Sequence, residues 1–462
     1  MTADWEQNLA LFRKKMTAQD LAPVVIDTFA FYYRQVATGE TGLISNRDIQ
    51  PVQPGEIASY ADMAQWIPQG RDLSRAAIMI RLNGGLGTSM GLTGPKSLLP
   101  VKNGRSFLDI IIGQAHRQDI PLALMNSFST HDATRRALAS LDARQRPRLF
   151  MQNKFPKIQQ ADLSPAESPD HPDLEWNPPG HGDVFTALSA SGMLDELIRQ
   201  GIQYAFIANA DNLGATMDPG LLGYFAATRS PFMMEVADKT PSDIKGGHLA
   251  RRLDGRLILR EAAQCPANEM DTFRDIGQYR YFNTNNIWVN LGVLQSFFKN
   301  EGSIHLPIIV NAKPIDPRHA TSQPVYQIET AMGAAISLFD DSVAIRVSRD
   351  RFIPVKTCND LLAVRSDRYQ LDPDFHLYPV SGCRQLGIRI SLDEHFFRRI
   401  DDFEARFGHG VPSLIECESL SVEGDVFFEA DVVIKGRVKI KNTIKTPMMV
   451  PAGSVVDNEQ IV

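Results

Sequence analysis

From Leu420 onward an aliphatic residue returns at every sixth position: Leu420, Val426, Val432, Val438, Ile444, Val450, Val456 and Val462. A second column, Val422, Phe428, Ile434 and Ile440, follows two residues behind the first. This period fits neither a helix, which repeats at about 3.6 residues, nor an alternating hairpin array, which repeats at about two. It fits a hexapeptide β-helix, in which each short face adds one aliphatic residue to a central stack. The repeats start near Leu414, so residues 414–462 are expected to form a C-terminal coil. The open end of such a coil leaves strand edges unpaired and is a natural association surface.

A second constraint lies much earlier. Ala76 to Leu82 is short and mostly apolar, as a buried strand should be. Five glycines in eleven residues follow: Gly84, Gly85, Gly87, Gly91 and Gly94. Glycine lacks Cβ and accepts positive φ, so backbone N–H groups can turn inward on an anion. Lys96 closes the run with a positive charge and three donors. The pattern reads as a cradle for a nucleotide phosphate. It is not a P-loop, because Pro95 separates Gly94 from Lys96. Nor is it a dinucleotide fingerprint, because Gly85, Gly87 and Gly91 are spaced one residue too long. A tight loop with no ligand is the bland alternative. Glycines this dense enlarge the unfolded ensemble and weigh against it.

The 462 residues are 43% hydrophobic and 22% charged, which allows a large core plus a smaller domain. A net charge of −6 argues against broad nucleic-acid binding, which wants a basic surface. Cys265, Cys358, Cys383 and Cys417 lie far apart and form no C-x-x-C pair, so neither zinc nor a thioredoxin-like motif is suggested. Sparse cysteine suits a reducing compartment, with each thiol a small buried hydrophobe. The N-terminus, Met1 to Glu6, lacks an apolar signal core. No stretch approaches about 18 apolar residues. The expectation is a cytoplasmic protein with no membrane span.

Residues 1–50 read as a helical segment packed on the main domain, with Leu9, Leu11, Phe12 and Met16 at near-helical spacing. From Ala76 the pattern runs strand, loop, helix, strand. Ser106 is a candidate N-cap with Asp109 at capping-box spacing, and Leu108, Ile111, Ile112 and Ala115 share one helix face. Pro121–Met125, Arg148–Met151 and Tyr204–Ala208 read as strands, and Thr130 as the cap of the intervening helix. The alternation predicts a doubly wound α/β domain with a mixed or parallel sheet over 51–350, a linking segment over 351–413, then the coil. Ligands on such sheets bind at the carboxyl ends of strands. The glycine loop, Asn126 and Asp211 all fall there.

Leu82-Asn83-Gly84-Gly85 through Lys96-Ser97 resembles the nucleotide-binding loop of the eukaryotic-type UTP–glucose-1-phosphate uridylyltransferases. The similarity continues through Leu124 to Phe128, Pro178 to Asp183, Asn209 to Ala215, Lys245 to Gly247, Phe282 to Trp288, Gln327 to Ala331 and Pro354 to Thr357. The blocks stand in the family's order and cover nearly the whole chain. The resemblance implies a Rossmann-like nucleotidyltransferase domain and a C-terminal left-handed β-helix, which some members use for homo-oligomer contacts. It also implies the reaction: the phosphate of glucose 1-phosphate attacks the α-phosphorus of UTP, and pyrophosphate leaves. Both reactants are anions, so positioning and charge neutralisation are the main tools.

In this reading Lys96 and Lys356 are the catalytic cations; the assignment of Lys356 rests on resemblance alone. Leu82, Asn83, Gly84, Gly85, Gln152, Gly180 and Asp211 hold the nucleotide. His181, Asn209, Gly247, Glu261 and Asn286 hold the sugar phosphate. Gln152 offers donor and acceptor together, which suits the imide edge of uracil. Taken alone, Asp211 fits an oxygen ligand to Mg²⁺ and an Asx-turn ending its strand equally well. The resemblance favours the metal. His181 is either a donor to phosphate or a structural loop histidine, and the asparagines around Asn286 are either sugar ligands or a buried polar network.

Arg81 stands where many members have lysine, Ala210 replaces a larger apolar residue, and Cys358-Asn359 stands where small hydroxyl residues are frequent. None of these removes a residue assigned to chemistry. Pyrophosphorylases for other sugars usually carry an arginine after Gly-Thr, where this chain has Ser89-Met90-Gly91. A catalytically silent regulatory subunit is the alternative from another class. Retention of Lys96, Asp211 and Lys356 argues against it.

Overall fold

The computed structural model describes residues 5–143, 145–244, 246–380 and 388–461; Lys245, Cys383 and Val462 lie outside them. At its centre is a mixed sheet. The strands along its main path, in chain order, are β1 (Ala58–Ser59), β2 (Ala77–Asn83), β3 (Leu122–Asn126), β4 (Arg148–Met151), β5 (Tyr204–Asn209), β6 (Phe232–Asp238), β7 (Tyr281–Asn290) and β8 (Val343–Arg346); Ile49–Pro51, His248–Arg252 and Leu257–Arg260 join it to the side, through β7. In space the path runs β1-β8-β6-β7-β5-β2-β3-β4. β7 is antiparallel to both neighbours on it, and the other pairs along it are parallel. Strands buried on both faces read as unbroken apolar runs, which is why β2, β3 and β5 were visible in the sequence.

The helices include α1 (Trp5–Thr17), α2 (Pro23–Ala37), α3 (Phe107–Arg117), α4 (Val184–Ala190), α5 (Met193–Arg199), α6 (Pro219–Thr228), α7 (Leu291–Glu301) and α8 (Cys358–Arg365). α3 and α6 cover one face of the sheet, where Phe107, Ile111, Leu221 and Phe225 meet Met79, Phe206 and Trp288. α4, α5 and α7 cover the other, meeting Ile78, Ile80 and Ile207. The architecture is therefore α/β with helices on both faces. Ser106 caps α3, and the reciprocal Asp109 bond of the capping box is present. Thr130 stands at its expected helix start but makes no capping bond. α1 and α2 close a third apolar cluster over Phe155, Ile158 and Trp176. Leu9, Phe12 and Met16 point into it, whereas Leu11 is exposed, a correction to the expected stripe. Among the described residues no helix is long and apolar enough to cross a membrane.

The C-terminal strands are β9 (Arg389–Leu392), β10 (Cys417–Glu423), β11 (Val426–Phe428), β12 (Val433–Lys441), β13 (Met448–Val450), β14 (Val455–Asp457) and β15 (Gln460–Ile461). Every pairing among them is parallel. Leu420 lies beside Val438 and Val422 beside Ile440, so paired residues here stand three six-residue repeats apart. The pairing reaches back to Ile390 beside Leu420, earlier than the expected start at Leu414.

The unbroken first column needs correction. Phe428 pairs with Val450 and Ile434 with Val456, a spacing four residues longer than that between Leu420 and Val438. The extra residues form the turn after Lys441, held by the Asn442 amide on the carbonyls of Asp425 and Thr446. Four extra residues carry the second column into the first column's phase. Val450 and Val456 therefore continue the column of Phe428 and Ile434, and Ile444 falls in the turn, 66% exposed.

Candidate active site

β2, β3, β4 and β5 end side by side at Asn83, Asn126, Met151 and Asn209. The glycine loop leaves β2 there, with Gly87 and Gly91 at φ of 63° and 72°. The Lys96 N–H donates back to the Gly85 carbonyl at 3.0 Å, which closes the loop. The loop is fastened from beneath. The buried Asn83 amide donates to Asn126 Oδ1 at 2.7 Å and Thr134 Oγ1 at 3.0 Å. Thr130 donates its hydroxyl to the Asn83 carbonyl at 2.7 Å and accepts the Ser127 N–H at 3.0 Å, so its oxygen is turned back from the helix and caps nothing. Ser127 Oγ donates to the Gly84 carbonyl at 2.9 Å. Leu82 is buried below, and a Cβ on Gly85 would meet no atom within 4 Å.

On one side of the loop, Gln152 Nε2 donates to the Gly180 carbonyl at 2.7 Å. A Cβ on Gly84 would stand 3.2 Å from Gln152 Oε1, so that oxygen faces the start of the glycine loop. Gly180 has φ of 78°, and a Cβ there would come within 2.4 Å of the Thr330 carbonyl oxygen. Only glycine fits. Next door, Asp183 accepts from the Asn153 backbone N–H at 2.7 Å and from its amide at 2.9 Å. Burial pushes the Asp183 carboxyl up to about 7, and these bonds only partly offset the shift.

On the other side, Lys96 Nζ pairs with Asp211 Oδ2 at 2.9 Å, with side chains 12% and 21% exposed. The Asp211 carbonyl accepts the Val355 N–H at 3.1 Å, and Asn212 bridges Pro354 in antiparallel fashion. Ser89 Oγ donates to the Lys356 carbonyl at 3.2 Å. Three distant segments thus form one wall. Lys356 itself is exposed and precedes Thr357, whose capping box with Asp360 opens α8. The Asx-turn foreseen as an alternative for Asp211 belongs to the next residue: Asn212 Oδ1 accepts the Gly214 N–H at 3.2 Å.

His181 Nδ1 accepts the Met332 N–H at 3.0 Å, so its Nε2 carries the proton. Burial, and then the Lys356 charge, depress its pKa to about 4. The ring is a neutral donor near pH 7. Gly247 and Glu261 flank the paired His248 and Arg260 at the open end of one hairpin. A Cβ on Gly247 would come within 2.5 Å of Glu261 Oε2. Burial raises the Glu261 pKa, while Asn283, the Lys356 charge and the Gly247 N–H pull it back.

Asn286 is placed differently from the rest. It is fully buried, with Nδ2 on Glu235 Oε2 at 3.1 Å and on the Arg351 carbonyl at 3.2 Å. The neighbouring Asn283 is the one beside Glu261. The Asn209 carbonyl accepts from Arg81 at 3.3 Å. Sequence reasoning missed Asn283, Glu235, Arg351, Asp183 and Asn212. Asn283, Asp183 and Asn212 stood inside runs already singled out; Glu235 and Arg351 gave no local signal. Among the described residues no three or more histidine, cysteine or acidic side chains gather as a metal cage. A cation at Asp211 would take one carboxylate and complete its shell with phosphate oxygens and water, the habit of Mg²⁺.

A family model described as UTP–glucose-1-phosphate uridylyltransferase matches residues 26–435. The Saccharomyces cerevisiae protein of that name is 40% identical over 420 residues, covering 89% of this chain and 82% of its own. The Hordeum vulgare protein of the same name is 38% identical over 436 residues, covering 92% and 90%. A solved variant of the Leishmania major UDP-glucose pyrophosphorylase, in complex with UDP-glucose, superposes with a TM-score of 0.91 at 39% identity, over 98% of this chain and 99% of that one. A solved UDP-glucose phosphorylase from Trypanosoma brucei gives 0.88 at 43%, over 98% and 99%.

Proposed function

This chain belongs to the UTP–glucose-1-phosphate uridylyltransferase family, and we propose that the cleft between the Gln152 side and the Lys96–Asp211–Lys356 wall is where the transfer occurs. The reaction joins the uridylyl group of UTP to glucose 1-phosphate and releases pyrophosphate. The observation that carries the placement is the Lys96–Asp211 contact at the mouth of the glycine loop.

The uridine lies along Leu82, Asn83, Gly84 and Gly85, with Gln152 and Gly180 at the base. The bond from Gln152 Nε2 to the Gly180 carbonyl fixes the orientation of the amide and turns its Oε1, an acceptor, toward the loop. That oxygen therefore reads the N3–H of uracil and rejects the bare N3 of cytosine. Lys96 turns from Asp211 to the triphosphate as it arrives. Lys356 and the His181 Nε2–H meet the phosphates around the point of attack. An oxygen of the sugar phosphate attacks the α-phosphorus and pyrophosphate departs, so no side-chain nucleophile is needed. Gly247, Glu261 and Asn209 face the sugar phosphate, with Asn286 supporting from below. Asp211 would hold magnesium, which would supply positive charge to the phosphate oxygens.

The parallel coil is read as a left-handed β-helix and as a contact surface for a second copy. Ile444, Met449 and Val455, exposed near its end, support that. The catalytic domain is taken as 51–350, with 351–413 linking it to the coil. Cys265, Cys358 and Cys417 are buried free thiols, which suits the cytoplasm.

Pyrophosphate release from UTP and Mg²⁺ is the test, with glucose 1-phosphate, galactose 1-phosphate and N-acetylglucosamine 1-phosphate in parallel. Rapid release with glucose 1-phosphate alone is expected. A folded protein that binds UTP but releases nothing with any of them would instead be a silent subunit.

A further inference from the structure

Asp211 and Lys356 sit on separate segments, yet both charges must meet one pair of reacting phosphates. The side chain between those segments is Asn212, which is 1% exposed. Its Nδ2 donates to the Arg351 carbonyl at 3.1 Å and to Asn286 Oδ1 at 3.3 Å. Its Oδ1 accepts the Ile353 N–H at 2.8 Å and the Gly214 N–H at 3.2 Å. These contacts use the full capacity of the amide, two donors and two lone pairs. Two of them reach the Arg351–Ile353 segment, which leads within three residues to Lys356.

The support behind this amide is rigid. Arg351 binds Glu235 through Nε and Nη2, both at 2.7 Å. Glu235 is held in turn by Trp288 Nε1 at 2.9 Å. On the other side, the buried Arg81 donates to the Asn212 carbonyl at 3.3 Å. An apolar side chain of similar size would leave the buried Ile353 N–H without this acceptor and the Arg351 carbonyl with Asn286 alone.

We propose that Asn212 is a positioning residue that holds the Asp211 turn and the Lys356 segment in register, so that both charges meet the phosphates together. The proposal rests on the roles given above to Asp211 and Lys356. Asn212 acts through those residues and not on the substrate. Its loss should lower turnover while leaving the uridine side untouched.

A double-mutant cycle tests this in the full chain, with kcat read from pyrophosphate release and UTP affinity from calorimetry. Lys356→Ala alone should lower kcat by about 10²–10³-fold. Asn212→Ala alone should lower it by about 10–100-fold, with UTP affinity within about threefold of the parent, as small misplacement does. The double variant should fall within about threefold of Lys356→Ala, because a register is worth little once the group it presents is gone. If the two losses multiply, or if Asn212→Ala costs less than about threefold, the proposal is overturned. If Lys356→Ala alone leaves kcat within about threefold, the reading of Lys356 falls first and the proposal with it; the single variant makes that case distinct. Asn212→Ser, which leaves a hydroxyl in the amide's place, carries the same cycle should the alanine variant fail to fold.

Discussion

Ile434 and Glu235 are both fully buried in strands with a parallel partner, and they are there for different reasons. Ile434 fills a column and needs only apolar neighbours of the right size. Glu235 needs named partners: Arg351 spends two donors on it, and Trp288 and Asn286 one each. The C-terminal stack is therefore set by a rule that repeats along the chain, and the site by contacts between residues up to 267 positions apart, as from Ser89 to Lys356. The first kind of order tolerates substitution by volume. The second fails when a single partner is lost.

The largest effect should separate them at once. Arg351→Met leaves Glu235 buried without its cation and should cost about 3–5 kcal/mol in denaturant unfolding. A loss below about 1 kcal/mol would mean that the polar half is less demanding than described. Next comes Lys96→Ala, expected to lower kcat by about 10²–10³-fold with a melting temperature close to the parent's. Turnover within a few-fold would remove Lys96 from the chemistry. Ile434→Ala in the coil should cost about 2–4 kcal/mol while leaving kcat and KM unchanged, since its cavity lies among aliphatic neighbours. A matching loss of turnover would show that coil and site are not separable.

The pH dependence sharpens the contrast. Folded His181 stays neutral down to about 4, whereas an unfolded histidine takes its proton near 6.5. The unfolded chain thus binds more protons in that window, and the contribution of His181 to stability, present above about pH 6.5, is lost as pH falls toward 4. His181→Gln should flatten the fall in melting temperature across that range. An unchanged slope would place the titration elsewhere. The smallest effect tests the register: Ile444→Ser should change stability by no more than about 0.5 kcal/mol, because the side chain stands in a turn. A loss of several times that would restore Ile444 to the core column.

What was legible follows from the same contrast. β2, β3 and β5 announced themselves as apolar runs, the glycine loop by its density, and the cap of α3 by Ser106 and Asp109 three residues apart. All of these are local patterns. The parallel stacking of the C-terminal strands was legible as a period, but not its four-residue turn, because Val450 and Val456 kept the six-residue count while changing columns. Thr130 looked like a cap, since nothing local shows that the Asn83 carbonyl lies within reach of its hydroxyl. Glu235 and Arg351 were invisible, because a lone charged residue in a sequence looks the same whether solvated or paired. Asn286 was singled out for its neighbourhood, but its side-chain direction depends on which face of β7 it takes beside the bulge at Glu235 and Val236.

The ion pair of Lys96 with Asp211 bears on selectivity against the commonest anions of a cell. A lysine standing free in a glycine loop would attract orthophosphate and sulfate as readily as a nucleotide. Here the charge is already answered at 2.9 Å, so a small anion gains little by approaching unless it can also satisfy the carboxylate it displaces. A ligand that arrives with its own cation does both, so the pair should favour it over simple anions.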